Sequence, residues 1–513
     1  MKTIIVCIVM SLFTWTAIHA QTDSEKRLKA DIQFLSDDLL KGRATPGEEL
    51  DIAALYLANQ LEAYGWKPAN AGSYLQNVPV VTFDPFKSKY KVVLNGYELK
   101  PEEYVLIPQG LKLDNTTESH DLVFLGQGIF DPEKNIDDFQ NINLEGKAGI
   151  AFFGAPWTMN PHEMHGCDHL IGKAVQVGVR KGSLLVYVTD EFENPARNNI
   201  NLEIPMVKTF HLLPKTRLAD SNNKAMEYSA FLIISKSTFD RTLAGITGKN
   251  YDQWQKRLYE KKRIKSFPLK SKIDITINAP KIYGTGHNVV AIRESKDPQY
   301  GHEWIVLTAH YDHLGIKRNA EGKDSIYNGA DDNASGTVAV MEIARKLSET
   351  PNLRRSIMVI FCYGEESGLL GSAYFTFRPL IPMDKIVLDI NLDMVGRYAD
   401  HIECINNGCE ELYQQAKKLE GRFDLKVLPE QNPHLRLAYF TDSYSFSRYE
   451  IPFIEFTTGF HPDYHQPSDE TRLINYNALD KISKLIYDFT VYYANSAEKP
   501  VFKRPAWFLT SGH

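Results

Sequence analysis

From Ser271 onward, short and nearly continuous apolar segments alternate with segments of helical periodicity, and this alternation constrains the fold most strongly. Apolar strands joined by helical crossovers are typical of a mostly parallel sheet that is covered on both faces. We therefore predict an α/β fold, a three-layer sandwich around a mostly parallel sheet. The predicted strands cover residues 304–308, 356–362, 386–392 and 452–456, and the predicted helices between them cover 337–347 and 410–419.

Side chains of the types that bind zinc follow these strands or the loops after them. In an open α/β sheet, functional groups gather just outside the carboxyl ends of the strands, so we expect these side chains to lie close together. Each alone has an ordinary explanation, such as a helix cap for an Asp–Asp pair. Together they favour a metal site, because concentrated carboxylates repel one another unless a cation lies among them. The residues are His310, Asp312, Asp331, Asp332, Glu365, Glu366, Asp393 and His465.

The order and spacing of these motifs resemble the M28 family of zinc peptidases. The resemblance covers roughly residues 25–83 and 271–493, with the most similar motifs at 309–315 and 329–336. It implies the zinc exopeptidase fold and an aminopeptidase, a hydrolase that removes N-terminal residues from peptides. It also implies two Zn²⁺ ions per chain.

The resemblance further assigns the metal ligands. Asp331 falls on the position that bridges the two zinc ions. His310 and Asp393 complete the first ligand set, and Glu366 and His465 complete the second. Every ligand position is filled, which disfavours an inert relative that has lost its metals.

Two catalytic assignments follow from the same resemblance. Glu365 falls on the general base, and Asp312 falls on the carboxylate that orients His310. Because adjacent side chains at a strand end diverge, Glu365 cannot bind metal in the same geometry as Glu366, and it is free to take a proton from a water. The resemblance also implies a cis peptide bond between Asp331 and Asp332.

The middle of the chain has a different texture, with short strands separated by turns containing Gly and Pro. We interpret it as a β-rich insertion. It resembles the protease-associated (PA) domain through the segments 144–147 and 173–178. The predicted organisation is a signal peptide at 1–20, a peptidase domain at 21–118 and 266–497, a PA-like insertion at 119–265 and a C-terminal tail at 498–513.

The first residues carry Lys2, an apolar run from Ile4 to Trp15, and small residues before Gln21. This pattern predicts a cleavable secretory signal and export to the periplasm or beyond. A membrane anchor is the alternative, but the run is short for a bilayer span. The formal net charge of −6 does not indicate a basic surface, so we expect no nucleic-acid partner. The expected partners are the peptide substrates that the resemblance implies.

Other functions remain open on the same metal frame. A carboxypeptidase would need a cationic clamp, for which Arg397, Arg436 and Arg448 are candidates. A glutaminyl cyclase has a related fold, and an inert peptidase-like binding protein is the alternative outside enzymes. Two further features have no assigned function: a cluster of His162, His165 and His169, and a possible disulfide between Cys404 and Cys409.

Overall fold

A computed structural model describes residues 22–83, 87–108, 110–132, 134–154, 170–189, 215–218, 229–261, 264–316, 325–406, 408–431, 433, 436–506 and 508. The predicted signal segment and the cluster of His162, His165 and His169 lie outside these ranges. Within the described residues, no helix has both the length and the apolar character needed to cross a membrane.

The strands are numbered along the chain. They are β1 Lys67–Pro68, β2 Leu75–Phe83, β3 Lys89–Leu94, β4 Tyr97–Glu98, β5 Tyr104–Ile107, β6 Asp114–Phe124, β7 Phe130–Asp131, β8 Ile136–Asp137, β9 Ala148–Phe152, β10 Leu184–Thr189, β11 Lys215–Leu218, β12 Ala230–Ser235, β13 Phe267–Asn278, β14 Lys281–Arg293, β15 Trp304–His310, β16 Gly315–Ile316, β17 Ile326–Tyr327, β18 Ser356–Cys362, β19 Ile386–Leu392, β20 Ile402–Ile405, β21 Val427–Pro429 and β22 Phe453–Thr457.

The α-helices are numbered in the same way. They are α1 Asp23–Leu35, α2 Glu48–Ala63, α3 Leu170–Gly178, α4 Lys236–Thr242, α5 Ala244–Thr247, α6 Tyr251–Lys261, α7 Gly336–Glu349, α8 Leu370–Phe377, α9 Glu410–Phe423, α10 Ser443–Ser447 and α11 Tyr476–Asn495. A π-helical turn, Ala330–Ser335, directly precedes α7.

A ten-stranded sheet carries the predicted strand–helix alternation. Its order is β11-β2-β14-β18-β15-β19-β22-β20-β21, with β1 paired to β14. The four strands β18, β15, β19 and β22 are parallel, whereas β2, β14 and β18 pair antiparallel. The α/β class is therefore confirmed, but the sheet is mixed, and the predicted parallel character holds for its centre.

Both faces of this sheet are packed. Ile305 and Leu307 of β15 belong to one apolar cluster together with residues of α1, α2, α7 and α11. Val306 points the other way and belongs to a second cluster with Phe375 of α8 and Phe446 of α10. The alternation of side chains along a strand explains this division, because successive residues face opposite sides of the sheet. The continuous apolar sequence of β15 follows from burial on both faces.

The β-rich unit is larger than the sequence suggests. Its eight-stranded sheet has the order β4-β3-β13-β6-β9-β10-β12-β5. The long antiparallel pair of β6 and β13 lies inside this sheet, so the unit reaches from Lys89 to Asn278 rather than from 119 to 265. In addition, β11 leaves the unit and pairs with β2 at the edge of the larger sheet.

The described cysteines are unpaired. Cys362, Cys404 and Cys409 are buried free thiols. The possible disulfide between Cys404 and Cys409 is not formed, because the chain enters helix α9 at Glu410 instead of a second strand that would face β20.

Candidate metal centre

The predicted ligands come together because four parallel strands end at one edge. In the register of the sheet, His310 of β15 lies beside Cys362 of β18, and Leu392 of β19 lies beside Phe456 of β22. The residues that follow these positions therefore share one side of the sheet. Gly336 lets the turn before α7 approach β19, since a Cβ there would lie 2.3 Å from the carbonyl oxygen of Leu392.

The first group of ligand atoms surrounds the imidazole of His310. Its Nε2 lies 3.3 Å from Asp332 Oδ1 and 3.4 Å from Asp393 Oδ1. Among the residues that the structure describes, two groups of side chains could hold a metal ion, and these three side chains form one of them. Burial lowers the pKa of His310, but the carboxylates of Asp393 and Glu365 reverse this effect and raise it well above its usual range.

The second group uses the other oxygen of Asp332. His465 Nε2 lies 3.2 Å from Asp332 Oδ2 and 3.2 Å from Glu366 Oε2. The second group that could hold a metal ion consists of Asp332, Glu366 and His313, whose Nδ1 lies 2.8 Å from Glu366 Oε1, and His465 lies beside this group. The two oxygens of Asp332 thus face two different sets of ligand atoms, as a bridging carboxylate must.

The bridging assignment to Asp331 is wrong. Its Oδ1 accepts the N–H of Gly396 at 2.6 Å and the hydroxyl of Ser335 at 2.9 Å, and its Oδ2 lies 3.2 Å from His461 Nε2. These contacts turn Asp331 away from the ligand atoms. The cis peptide bond is also one position later than predicted, between Asp332 and Asn333.

Glu365 stands beside the ligand atoms without belonging to either described group. Its Oε2 lies 3.9 Å from His310 Nε2, and its side chain is 12% exposed. Burial raises the pKa of Glu365 well above its usual range, and the charges of Glu366 and Asp393 add to the shift, while His310 opposes it. A buried carboxyl with a raised pKa beside candidate ligands has the properties of a general base.

Asp312 faces the Nδ1 side of His310. The resemblance implies a carboxylate in this position that orients the imidazole. Asp312 Oδ1 is 3.6 Å from His310 Nδ1, and the same oxygen accepts the backbone N–H of Glu365 at 3.0 Å. The hydroxyl of Thr45 donates to Asp312 Oδ2 at 2.9 Å. A single buried carboxylate therefore contacts both a candidate ligand and the backbone of the candidate base.

Two residues without a sequence prediction hold the loops in place. Asp469 Oδ2 accepts the backbone N–H groups of both Asp331 and Asp332 at 3.0 Å. The fully buried guanidinium of Arg43 donates to the carbonyl oxygens of Tyr311, Leu35, Asn328 and Gly329. Asp469 lies shortly after His465 in the sequence and could have been considered together with it as a candidate site residue. The sequence around Arg43, in contrast, does not indicate its contacts.

The donor set fits a metal ion. Asp393 Oδ1 is buried and makes no hydrogen bond within the described part of the chain. Burial raises the pKa of Asp393, and the neighbouring charges of Asp332 and Glu366 raise it further against the effect of His310. Histidine nitrogens with carboxylate oxygens are ligands that zinc prefers.

An α/β sheet that presents two sets of His and carboxylate ligands joined by one aspartate defines a candidate metal-dependent hydrolase. Residues 288–490 match the profile of peptidase family M28. The matched segment contains every member of both ligand groups and Glu365.

Curated relatives match a shorter stretch. The chain is 32% identical over 113 residues to aminopeptidase YwaD of Bacillus subtilis, which covers 22% of each protein. It is 33% identical over 114 residues to the alkaline phosphatase isozyme conversion protein of Escherichia coli, covering 21% of this chain and 32% of that protein. The matches thus span about a fifth to a third of the length of these relatives.

One solved structure resembles nearly the whole fold. The aminopeptidase from Aneurinibacillus sp. strain AM-1 superposes with a TM-score of 0.50 at 17% identity, over 94% of this chain and 96% of that one. At this identity the similarity establishes the fold alone.

Proposed function

We propose that this protein is an exported aminopeptidase that removes N-terminal residues from peptides with the help of two zinc ions. The observation that carries the proposal is the position of Asp332. Its two oxygens lie 3.3 Å from His310 Nε2 and 3.2 Å from His465 Nε2, on opposite sides of one carboxylate. The match of residues 288–490 to the profile of peptidase family M28 supports the zinc and the peptide substrate.

The chain supplies a complete set of ligands for two ions. His310 and Asp393 would hold the first, Glu366 and His465 would hold the second, and Asp332 would contact both. Bound zinc would lower the pKa of a water molecule and stabilise negative charge on the substrate carbonyl oxygen.

We assign the proton transfers of the reaction to Glu365. Its carboxylate lies beside both ligand groups and is not needed by either, so it can accept a proton from the attacking water and pass it to the leaving amine. Asp312 would position this base, since it accepts the N–H of Glu365. It would also orient His310, whose Nδ1 it faces.

The alternatives have weaker support. A carboxypeptidase needs a free cation near the metals, but Arg397 Nη2 lies 2.9 Å from Asp463 Oδ2. The other two candidates are also engaged, since Arg436 Nη2 donates to the carbonyl oxygen of Phe130 at 3.3 Å and Arg448 has a partner as well. An inert binding protein would have no need for Glu365 beside an intact ligand set. A glutaminyl cyclase on this frame would be expected to hold a single zinc.

Export is supported by the apolar segment from Ile4 to Trp15.

Two measurements on the purified protein test the proposal. Elemental analysis without chelator should find about two zinc ions per chain. Hydrolysis of a panel of aminoacyl-anilides should be lost with chelator and restored by zinc. A reproducible content near one zinc would favour the cyclase alternative, and full metal content without hydrolysis of any aminoacyl-anilide would contradict the aminopeptidase assignment.

A further inference from the structure

A cavity leads away from the candidate metal centre between β22, β20 and the turn near Leu437. It is lined by Asp332, Glu365 and His465 of the candidate metal centre and also by Glu403 and Glu455. The volume of the cavity is about 90 Å³. A substrate whose scissile bond lies at the metal centre would therefore place its first side chain in this space.

Glu455 is an unusual residue for its position in the sheet. It lies in the middle of β22, where its neighbours Ile454 and Phe456 belong to the main apolar core. Its side chain is 3% exposed, and its Oε2 has no hydrogen-bond partner among the described residues. A buried carboxylate oxygen without a partner is costly, so a ligand that supplies a positive charge would stabilise it.

Among the residues that the structure describes, the charges around Glu455 are negative. The charged groups that act most strongly on Glu455 are Asp393 and Glu430, and both are acidic. Glu430 also has a buried oxygen without a hydrogen-bond partner, its Oε1. On the adjacent strand, Glu403 lies opposite Thr457, close to Glu455 in the register of the sheet.

Glu403 is partly engaged and adds negative charge. Its Oε2 accepts the N–H of Gln431 at 2.8 Å, and its Oε1 lies 3.3 Å from His401 Nε2. Glu403 and Glu455 therefore give the cavity lining an acidic part. The lining also has an apolar part, formed by Ile405, Leu437, Phe440 and Phe460.

A cavity lined by both apolar side chains and buried acidic groups matches a side chain with a long aliphatic stem and a charged head. We propose that this cavity binds the side chain of the substrate's N-terminal residue and selects Lys or Arg, with Glu455 as the principal specificity residue and Glu403 beside it. The inference rests on the proposed aminopeptidase function and names its substrate class.

The comparison of lysine with norleucine tests the proposal, because the two side chains share the aliphatic stem and differ in the charged head. The wild type should hydrolyse Lys-anilide with a kcat/KM roughly tenfold or more above that of norleucine-anilide. Glu455→Gln should remove most of this ratio, mainly by lowering kcat/KM for Lys-anilide. Glu410→Gln, which removes an exposed carboxylate on α9, is the matched control and should keep the ratio.

Two results would overturn the assignment. One is equal hydrolysis of both anilides by the wild type. The other is an equal loss for both substrates in Glu455→Gln, which would give Glu455 a role toward the α-amino group common to both. If no anilide is hydrolysed, the proposed function itself fails. The cavity is then tested by calorimetry with lysinamide and norleucinamide, where equal affinity would contradict the proposal and tighter lysinamide binding would support it.

Discussion

Asp331 and Asp332 are neighbours in the chain, yet their side chains lie in different networks. Asp332 faces His310 and His465, whereas Asp331 accepts hydrogen bonds from Gly396 and Ser335. Asp469 fixes this division, because its carboxylate accepts the backbone N–H groups of both aspartates. The metal centre thus depends on which of two adjacent carboxylates the backbone turns inward.

This division predicts different effects of two matched substitutions. Asp332→Asn removes the shared carboxylate, so we expect both zinc ions to be lost or bound far more weakly. Asp331→Asn changes a residue outside the ligand groups, and it should keep about two zinc ions per chain. Elemental analysis of both variants after identical dialysis makes the comparison. Metal loss in Asp331→Asn with retention in Asp332→Asn would reverse the assignment.

A second pair of adjacent residues separates metal binding from proton transfer. Glu365→Gln should retain both zinc ions and lose turnover by a factor on the order of a hundred or more, because only the base is removed. Glu366→Gln should weaken metal binding, since Glu366 Oε2 lies 3.2 Å from His465 Nε2. Metal content and kcat are measured on the same preparations. Equal metal loss in the two variants would show that the roles are not divided in this way.

Much of this organisation could be predicted from the sequence. The continuous apolar strands predicted at 356–362 and 386–392 coincide with β18 and β19, because burial on both faces leaves a strong pattern. For the same reason, the residues that follow these strands lie at the predicted edge of the sheet, at the carboxyl ends of the strands. Their chemistry and spacing were sufficient to predict His310, Glu366, Asp393 and His465 as neighbours.

The errors concern features that local pattern does not encode. Choosing between Asp331 and Asp332 requires the path of the turn, which Asp469 fixes from a distant part of the chain. The bounds of the β-rich unit depend on the pairing of β6 with β13, two segments far apart in sequence. His313 is buried with its Nδ1 2.8 Å from Glu366 Oε1, a contact between two segments far apart in sequence.

Arg43 should matter for stability although it touches no candidate ligand atom. Arg43→Met would leave the buried carbonyl oxygens of Tyr311, Asn328 and Gly329 without this donor. Each unsatisfied buried group costs about 1–3 kcal/mol, so we expect a loss of at least about 3 kcal/mol in the free energy of unfolding. Lys41→Met removes an exposed cation nearby and should cost little. Urea denaturation of both variants checks this, and equal shifts would refute it.

Asp389 predicts a pH dependence of stability. Burial raises the pKa of this carboxyl from 3.8 to about 7, although the hydroxyls of Ser443 and Thr308 donate to it. Between these values the folded protein keeps a proton that the unfolded chain releases. The stabilising contribution is therefore complete below about pH 4 and is lost as the pH rises toward 7.

The variant Asp389→Asn lacks this titration. Relative to the wild type, its free energy of unfolding should increase with pH across this window, by up to about 1.4 kcal/mol per pH unit. Asp384→Asn, on the exposed turn before β19, is the control. Denaturation curves at several pH values give the difference, and a difference that stays constant with pH would exclude this role for Asp389.

The most direct test of the account is a crystal structure of the zinc-loaded protein with anomalous scattering measured at the zinc edge. We expect two peaks roughly 3.5–4 Å apart, one on each side of the Asp332 carboxylate. The first should lie against His310 and Asp393, and the second against Glu366 and His465. A single peak, or a peak bound by Asp331 and His461 instead, would contradict the account.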